Sequence, residues 1–330
     1  MHCEGRPIRT EHAKPAIASD RPTVGFGCGS VGAATGYKAN CALIEAAYDA
    51  GFRYFDVAPS YGHGQAERIV GDVLHSVRDN VTLVTKVGIA HPIGSGSIRV
   101  ARRLLSPIKR VLPGFWSRGA KWVRNASATD GDFLPSEVCS SFAESLRRLR
   151  VDHVEGLLLH EVHDHDISPA LLDVLGGFVS RGLSKRIGLG TSLLHTERII
   201  QQYPNHFDLV QVNHYWGGFD QRLCERRSVI THGCIRSGMN LIKSAQFGTL
   251  LADDSSLSLL TEIIKDIQQV PMLLLIAGLQ KRHLQNVLVA SSRIERIRAF
   301  IKISESYEAN VAAAMLNECM CRLAPTVTRN

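Results

Sequence analysis

Four side chains of different chemistry mark the first half of the sequence: Asp56, Tyr61, Lys86 and His160. Asp56 and Tyr61 share the stretch FRYFDVAPSYGHGQAERIVGDVL, residues 52–74. It begins as a short apolar, aromatic run and ends with the spacing of an amphipathic helix. That puts Asp56 at the end of a strand and Tyr61 in the turn beyond it. Lys86 closes VTLVTK (81–86) and His160 closes VEGLLLH (154–160) in the same way. A tyrosine, with an ordinary pKa of about 10, exchanges protons poorly at neutral pH. A nearby ammonium favours the phenolate and brings that pKa down. A carboxylate beside the lysine holds its charge and position, and a histidine orients or polarises a carbonyl. Such a set protonates a carbonyl oxygen, or deprotonates an alcohol, while something else delivers or accepts hydride. Side chains cannot supply hydride, so a nicotinamide cofactor is implied.

For these residues to meet, their strands must lie side by side. Strand-like runs are expected at 23–27, 52–56, 81–86, 154–160, 184–190, 207–213, 239–244 and 286–291. Helical patterns fall between and after them, at 38–51, 65–77, 134–150 (with Ser136 as cap), 168–181, 194–203, 220–237, within 254–285, at 293–306 and at 308–322. Continuous apolar strands alternating with helices imply a parallel sheet covered on both faces. Eight such units give an α/β fold of the (β/α)8 TIM-barrel class, with its active site at the C-terminal ends of the strands. The competing doubly wound sheet would explain the frame Gly27-x-Gly29-x-x-Gly32 in GFGCGSVG. Such a frame is weak alone. The acidic residue about 20 positions on, Asp49, falls inside a helix rather than at a strand end. The glycines therefore read as backbone that lets a ligand come close at a barrel mouth, with Gly27 the candidate contact.

The 330 residues, 45% hydrophobic and 21% charged, suit one soluble barrel. The expected organisation is an N-terminal arm over 1–21 and a single barrel over 22–330, with a basic loop insertion at about 91–133. The net charge of +7 is local: residues 91–125 hold eight Lys/Arg and no Asp/Glu, leaving 30 basic against 31 acidic residues elsewhere. This block, with Trp116 and Trp122, reads as a solvated loop beside the active site. No nucleic-acid partner is expected, since the block matches no recognition module. No apolar run reaches the roughly 18 residues of a membrane span. The eight cysteines are scattered, and Cys319-x-Cys321 alone is a weak metal signal. Reduced thiols, no metal and a cytoplasmic location are the expectations.

From about residue 22 to 306 the sequence resembles the aldo-keto reductases. The resemblance rests on GFRYFDVAPSYGHGQAERIVGDVL (51–74), VTLVTK (81–86), ESLRRLRVDHVEGLLLH (144–160), FDLVQVNH (207–214) and VLVASSRIERI (287–297). It implies that Tyr61 is the general acid/base, tuned by Lys86, with Asp56 supporting Lys86 and His160 orienting the substrate. It also implies that Gln211, and Thr191 in place of a commoner Ser-Asn pair, hold the nicotinamide carboxamide. Ser291 and Arg296 match positions that contact a 2′-phosphate. Ala290 stands where a basic residue is common, and Phe300 where an adenine-contacting Asn is common. Ser244 falls at the position of an aromatic that stacks on nicotinamide after the seventh strand. NADP(H) is favoured, with NAD(H) possible. The implied substrate is a small carbonyl compound or, by likeness to the sugar dehydrogenase branch, a sugar hydroxyl, and the protein is expected to be a monomer. The alternative is a cofactor-binding regulatory subunit of the same fold with little turnover.

Overall fold

The computed structural model describes residues 22–32, 36–89, 132–266, 268–281, 283–302 and 307–324. The N-terminal arm and the basic segment 91–125, with Trp116 and Trp122, lie outside the described residues. Eight strands form a closed, wholly parallel barrel in chain order: β1 (Thr23–Gly27), β2 (Tyr54–Asp56), β3 (Thr82–Val87), β4 (Gly156–His160), β5 (Ile187–Gly190), β6 (Leu209–Asn213), β7 (Ser228–His232) and β8 (Leu284–Val289). β8 closes onto β1, with Thr23 beside Asn286 and Phe26 beside Val289. The (β/α)8 expectation is therefore met.

The covering helices are α1 (Tyr37–Asp49), α2 (Ala66–Leu74), α3 (Pro135–Leu149), α4 (Pro169–Ser180), α5 (Leu193–Gln202) and α6 (Gln221–Glu225). They continue with α7 (Cys234–Ile242), α8 (Ala245–Asp253), α9 (Ser258–Lys265), α10 (Val270–Leu279), α11 (Ile294–Lys302) and α12 (Tyr307–Leu323). The barrel interior is a small apolar plug, Tyr54, Val84, Leu158, Leu209, Ile230 and Leu288, contributed by six strands. Bulky residues there require small neighbours. A Cβ on Gly25 would stand 2.5 Å from Leu288 Cδ2. The larger core lies between the barrel wall and the helices, where alternate strand residues such as Phe26, Phe55, Leu157, Leu159 and Val210 meet helix faces. Six strands thus give one residue each to the plug and turn others outward, the alternation that closes a barrel without a pore.

Two expectations about elements fail. The seventh strand is not 239–244, which lies mostly within α7, but SVITH, residues 228–232; the long helix expected over 220–237 breaks into α6, β7 and the start of α7. Val-Ile-Thr is a β-branched run, stiff at χ1 and suited to a strand. The left-handed Gly233 (φ 75°) then separates it from α7. Ser136 does not cap α3: the helix starts at Pro135, Ser136 is inside it, and the cap residue Leu134 makes no side-chain cap bond. Pro135 suits a first turn because its missing N–H would be unpaired there anyway.

Of the described cysteines, Cys28, Cys139, Cys224, Cys234, Cys319 and Cys321 are free thiols, and Cys41 is disulfide-bonded. Cys41 departs from the expectation of reduced thiols throughout. Among the described residues no helix is long and apolar enough to cross a membrane.

Candidate active site

At the C-terminal mouth the strand order brings β2, β3 and β4 together, and with them three of the four singled-out residues. Asp56 is the last residue of β2, Lys86 the fifth of six in β3, and His160 the last of β4. Tyr61 starts a 3-10 turn, Tyr61–Gly64, between β2 and α2. That turn requires glycine at its second position. Gly62 has φ 57°, and a Cβ on it would stand 2.0 Å from the Val31 carbonyl oxygen. The loop after β1 and the tyrosine turn are therefore locked backbone to backbone, so Tyr61 has a fixed base.

Lys86 is 1% exposed and Asp56 3%. Lys86 Nζ donates a short hydrogen bond to Asp56 Oδ1 and a second, of 3.2 Å, to the Val57 carbonyl. Gln211 Nε2 donates to the same Asp56 Oδ1 at 2.8 Å. Lys86 Nζ stands 5.0 Å from the centroid of the Tyr61 ring, and the His160 ring meets Tyr61 edge-on with centroids 5.9 Å apart. The four expected residues thus form one cluster.

Its electrostatics differ from the simple expectation in one respect. Burial pushes the Tyr61 hydroxyl above its ordinary pKa, and the Lys86 ammonium opposes that rise without reversing it. Desolvation outweighs the ammonium because most of the Tyr61 side chain is enclosed and the nearby Asp56 carboxylate offsets the lysine's charge. For Lys86, burial favours the neutral amine, but Asp56 and Tyr61 reverse the effect and hold its pKa above the ordinary value. Burial, with help from Lys86 and His232, drops His160 to about 3. His160 is therefore a neutral imidazole, able to donate or accept a hydrogen bond. Its Nδ1 is buried with no partner among the described residues.

A cavity of 1180 Å³ runs from this cluster across the mouth. Asp56, Tyr61 and His160 line one end, and Ser291, Arg293, Arg296 and Phe300 the other. That exceeds the roughly 300–1,000 Å³ of ordinary small-molecule pockets. Gly27 and Gly29 line it, whereas Gly32 packs on the Gly62 backbone. At the far end Ser291 accepts a bond from the Arg293 N–H at 3.0 Å, just before α11. Helix N-termini offer free N–H groups and positive dipole to anions, and Arg296 stands in the first turn of α11.

Of the expected cofactor contacts, Gly27, Gln211, Ser291 and Arg296 line the cavity. Thr191 is buried just past β5 and does not line it; its neighbour Gly190 does. With β7 at Ser228–His232, the residue that ends the seventh strand is His232, and Ser244 lies beyond α7. Ser244 instead caps α8, accepting from the Phe247 N–H at 3.3 Å. His232, Arg236 and Glu161 all line the cavity, and sequence reading missed them. SVITH was the available signal for His232 and Arg236. Glu161 directly follows His160, and its left-handed backbone (φ 55°) is uncommon for a residue with a side chain.

The sequence and the fold are both similar to those of known proteins. The family model described as "Aldo/keto reductase family" matches residues 23–216. The chain is 32% identical over 190 residues to D-threo-aldose 1-dehydrogenase of Pseudomonas sp, covering 55% of this chain and 54% of that protein. It is 34% identical over 122 residues to pyridoxal 4-dehydrogenase of Microbacterium luteolum, covering 37% and 33%. The chain thus spans about half of the first relative and a third of the second. Among solved structures, an aldo-keto reductase from Bacillus halodurans in its holo form superposes with TM-score 0.62 at 18% identity, covering 89% of this chain and 91% of that one. One from Klebsiella pneumoniae in complex with NADP and acetate gives 0.59 at 21%, covering 94% and 93%. At these identities the structural likeness speaks to the fold.

Proposed function

The chain belongs to the aldo/keto reductase family, and from that premise we propose that it is an NADP(H)-dependent oxidoreductase acting on a small carbonyl compound or a sugar hydroxyl. The carrying observation is the buried Lys86–Asp56 pair set against Tyr61 at the closed end of a long cavity. A buried ion pair is costly to build and adds little net stability, so its position beside a half-buried tyrosine that lines the cavity favours a chemical role.

When bound, NADP(H) supplies or accepts the hydride. The far end of the cavity fits its phosphates, with the α11 N-terminus, Ser291 and Arg296 as holders; Arg296 favours NADP(H), and NAD(H) remains usable. Gln211 and the ring of His232 are the candidate holders of the nicotinamide end. In carbonyl reduction, His160 as a neutral imidazole donates a hydrogen bond to the carbonyl oxygen and orients it. Tyr61 gives its hydroxyl proton to that oxygen as negative charge develops there. Lys86 stabilises the resulting phenolate, and Asp56 keeps Lys86 charged and fixed. In alcohol oxidation the same groups run in reverse, with Tyr61 taking the hydroxyl proton. The raised pKa of free Tyr61 fits a residue that stays protonated until charge develops beside it.

The similarity to relatives named as dehydrogenases of an aldose and of pyridoxal keeps oxidation open beside reduction. We read the protein as a cytoplasmic monomer comprising one barrel over 22–330. The six free thiols support the compartment, and the disulfide at Cys41 stands against it. Light scattering checks the monomer.

The test is titration of purified protein with NADPH and NADH separately, followed by intrinsic tryptophan fluorescence. A panel of aldehydes is then offered with NADPH, and a panel of sugars with NADP+ and NAD+. Nucleotide binding with turnover on either panel is the expected result. Binding with no turnover on both panels would favour a cofactor-sensing regulatory subunit. No binding of any nucleotide would contradict the proposal.

A further inference from the structure

The loop after β4 reads Glu161-Val162-His163-Asp164-His165-Asp166, and none of its histidines takes part in the proposed proton transfer. We propose that His163, His165 and Asp166 bind one borderline divalent cation of the zinc class. The site is independent of the nucleotide site and of the proposed reaction.

The donor atoms are already gathered. His163 Nδ1 lies 3.5 Å from Asp166 Oδ2, and His165 Nε2 lies 3.6 Å from Asp166 Oδ1. The ligand atoms of the three residues all lie within 4.8 Å of one another. A tetrahedral cation bonded at about 2.0–2.1 Å to nitrogen and oxygen needs neighbouring donors about 3.3 Å apart. Each histidine nitrogen is within a few tenths of an ångström of that from one of the two Asp166 oxygens, and a small rotation of the carboxylate or the rings would bring the three donors onto one cation.

The backbone and a second element hold this arrangement. The His163 N–H donates to Asp166 Oδ2 at 2.8 Å, which folds the 3-10 turn Asp164–Asp166 back on its own start. The His163 and His165 rings lie parallel, 4° apart, with centroids separated by 5.3 Å. From α5, His195 sets its ring edge-on to His163 at 4.4 Å, and Asp164 fixes His195 through a 3.0 Å contact to its Nδ1. The His195 ring, fixed by Asp164, thus restricts the orientation of the His163 ring. The nearby cation Arg198 meets Asp164, 4.0 Å away, rather than Asp166.

Two imidazoles and one carboxylate suit zinc, nickel or copper, whereas magnesium and calcium want oxygen ligands. Half-exposed His163 and exposed His165 leave the remaining coordination positions to water. The site is thus more open, and weaker, than a closed four-ligand structural centre.

The test uses the full chain without a polyhistidine tag, stripped with a chelator, dialysed and titrated calorimetrically with zinc chloride and, in parallel, magnesium chloride. One zinc per chain and no magnesium binding are expected. His163→Ala and His165→Ala should each weaken zinc binding at least about tenfold, the scale lost even when only a supporting residue is removed. His75→Ala, a control at an exposed histidine on another element, should leave it unchanged. The His165 side chain is 77% exposed, so its replacement keeps the fold. Absence of zinc binding in the wild type, wild-type affinity in both ligand variants, or equal binding of magnesium would overturn the proposal.

Discussion

The two ends of the cavity are built on opposite principles. At the closed end the two buried charges are paired before any ligand arrives: Asp56 accepts from both Lys86 and Gln211, and Lys86 also bonds the Val57 carbonyl. The support reaches one layer further, where Thr85 beside Lys86 donates to buried Glu67 of α2 at 2.7 Å, and Arg148 of α3 meets Glu67 at 3.4 Å. At the open end Arg293 and Arg296 are exposed, with no ion pair among the described residues. Ser291, beside them, bonds within the turn into α11 and has no charge to pair. Chemistry that must not wait for reorganisation calls for groups already in place. Phosphate capture needs only free donors and positive charge. Substitutions at the closed end should therefore cost stability and turnover together, and those at the open end binding alone.

Breaking the buried pair should have the largest effect. Lys86→Met strands the Asp56 carboxylate in the interior, which costs about 3–5 kcal/mol in stability. It should also lower turnover about 10²–10⁴-fold, the share ordinarily carried by positioned acid–base groups. Urea unfolding and steady-state rates read both. Adding Asp56→Asn to Lys86→Met should recover part of the stability and none of the turnover. An unfolding midpoint unmoved by Lys86→Met would erase the distinction between the two ends.

Arg296→Ala should act oppositely. Loss of a charge-assisted bond worth about 1.5–3 kcal/mol raises the KM for NADPH about 10–100-fold. kcat should hold, and stability should move by less than about 0.5 kcal/mol. NADH should be unaffected. An equal loss with NADH would mean that Arg296 does not read the extra phosphate.

At neutral pH the buried histidines show no effect, and it emerges only on acidification. His160 and His214 are both dropped by burial to about 3 in the fold, against about 6.5 unfolded. Their folded pKa values are depressed, so the unfolded chain takes up protons first. Their contribution is fully present above pH of about 6.5 and declines as pH falls towards 3. At pH 5 each should cost about 2 kcal/mol, at about 1.4 kcal/mol per pH unit below 6.5. Urea midpoints at pH 7.5 and 5.0 measure this, and His214→Phe should remove about half of the difference. By contrast, His160 should contribute no inflection to turnover between pH 6 and 8.

The same contrast governs what could be read from sequence. The closed end was legible because each of its residues terminates a short apolar run or sits in the turn just after one. Strand-end position is what a barrel converts into proximity. β7 was not legible. SVITH sits between two arginines and a helix-like continuation, so a helical reading ran through it; only closure of the barrel between β6 and β8 forces it into a strand. The error carried over to Ser244, which caps a helix, and hid His232 and Arg236. Thr191, buried just past β5, does not line the cavity, for a related reason. A residue one step past a strand end can turn inward or outward, and sequence does not say which. Nor did sequence foresee the raised pKa of Tyr61, because the balance between an ammonium and desolvation depends on depth.

The central claim, that Tyr61 carries the proton, is tested most directly by Tyr61→Phe. The measurement pairs NADPH affinity by fluorescence with the single-turnover rate on whichever substrate the wild type uses. The phenyl ring keeps the packing and removes only the hydroxyl. NADPH affinity within about twofold of wild type and a rate lowered about 10²–10⁴-fold is the predicted result. A Tyr61→Phe enzyme that turns over at the wild-type rate would contradict it.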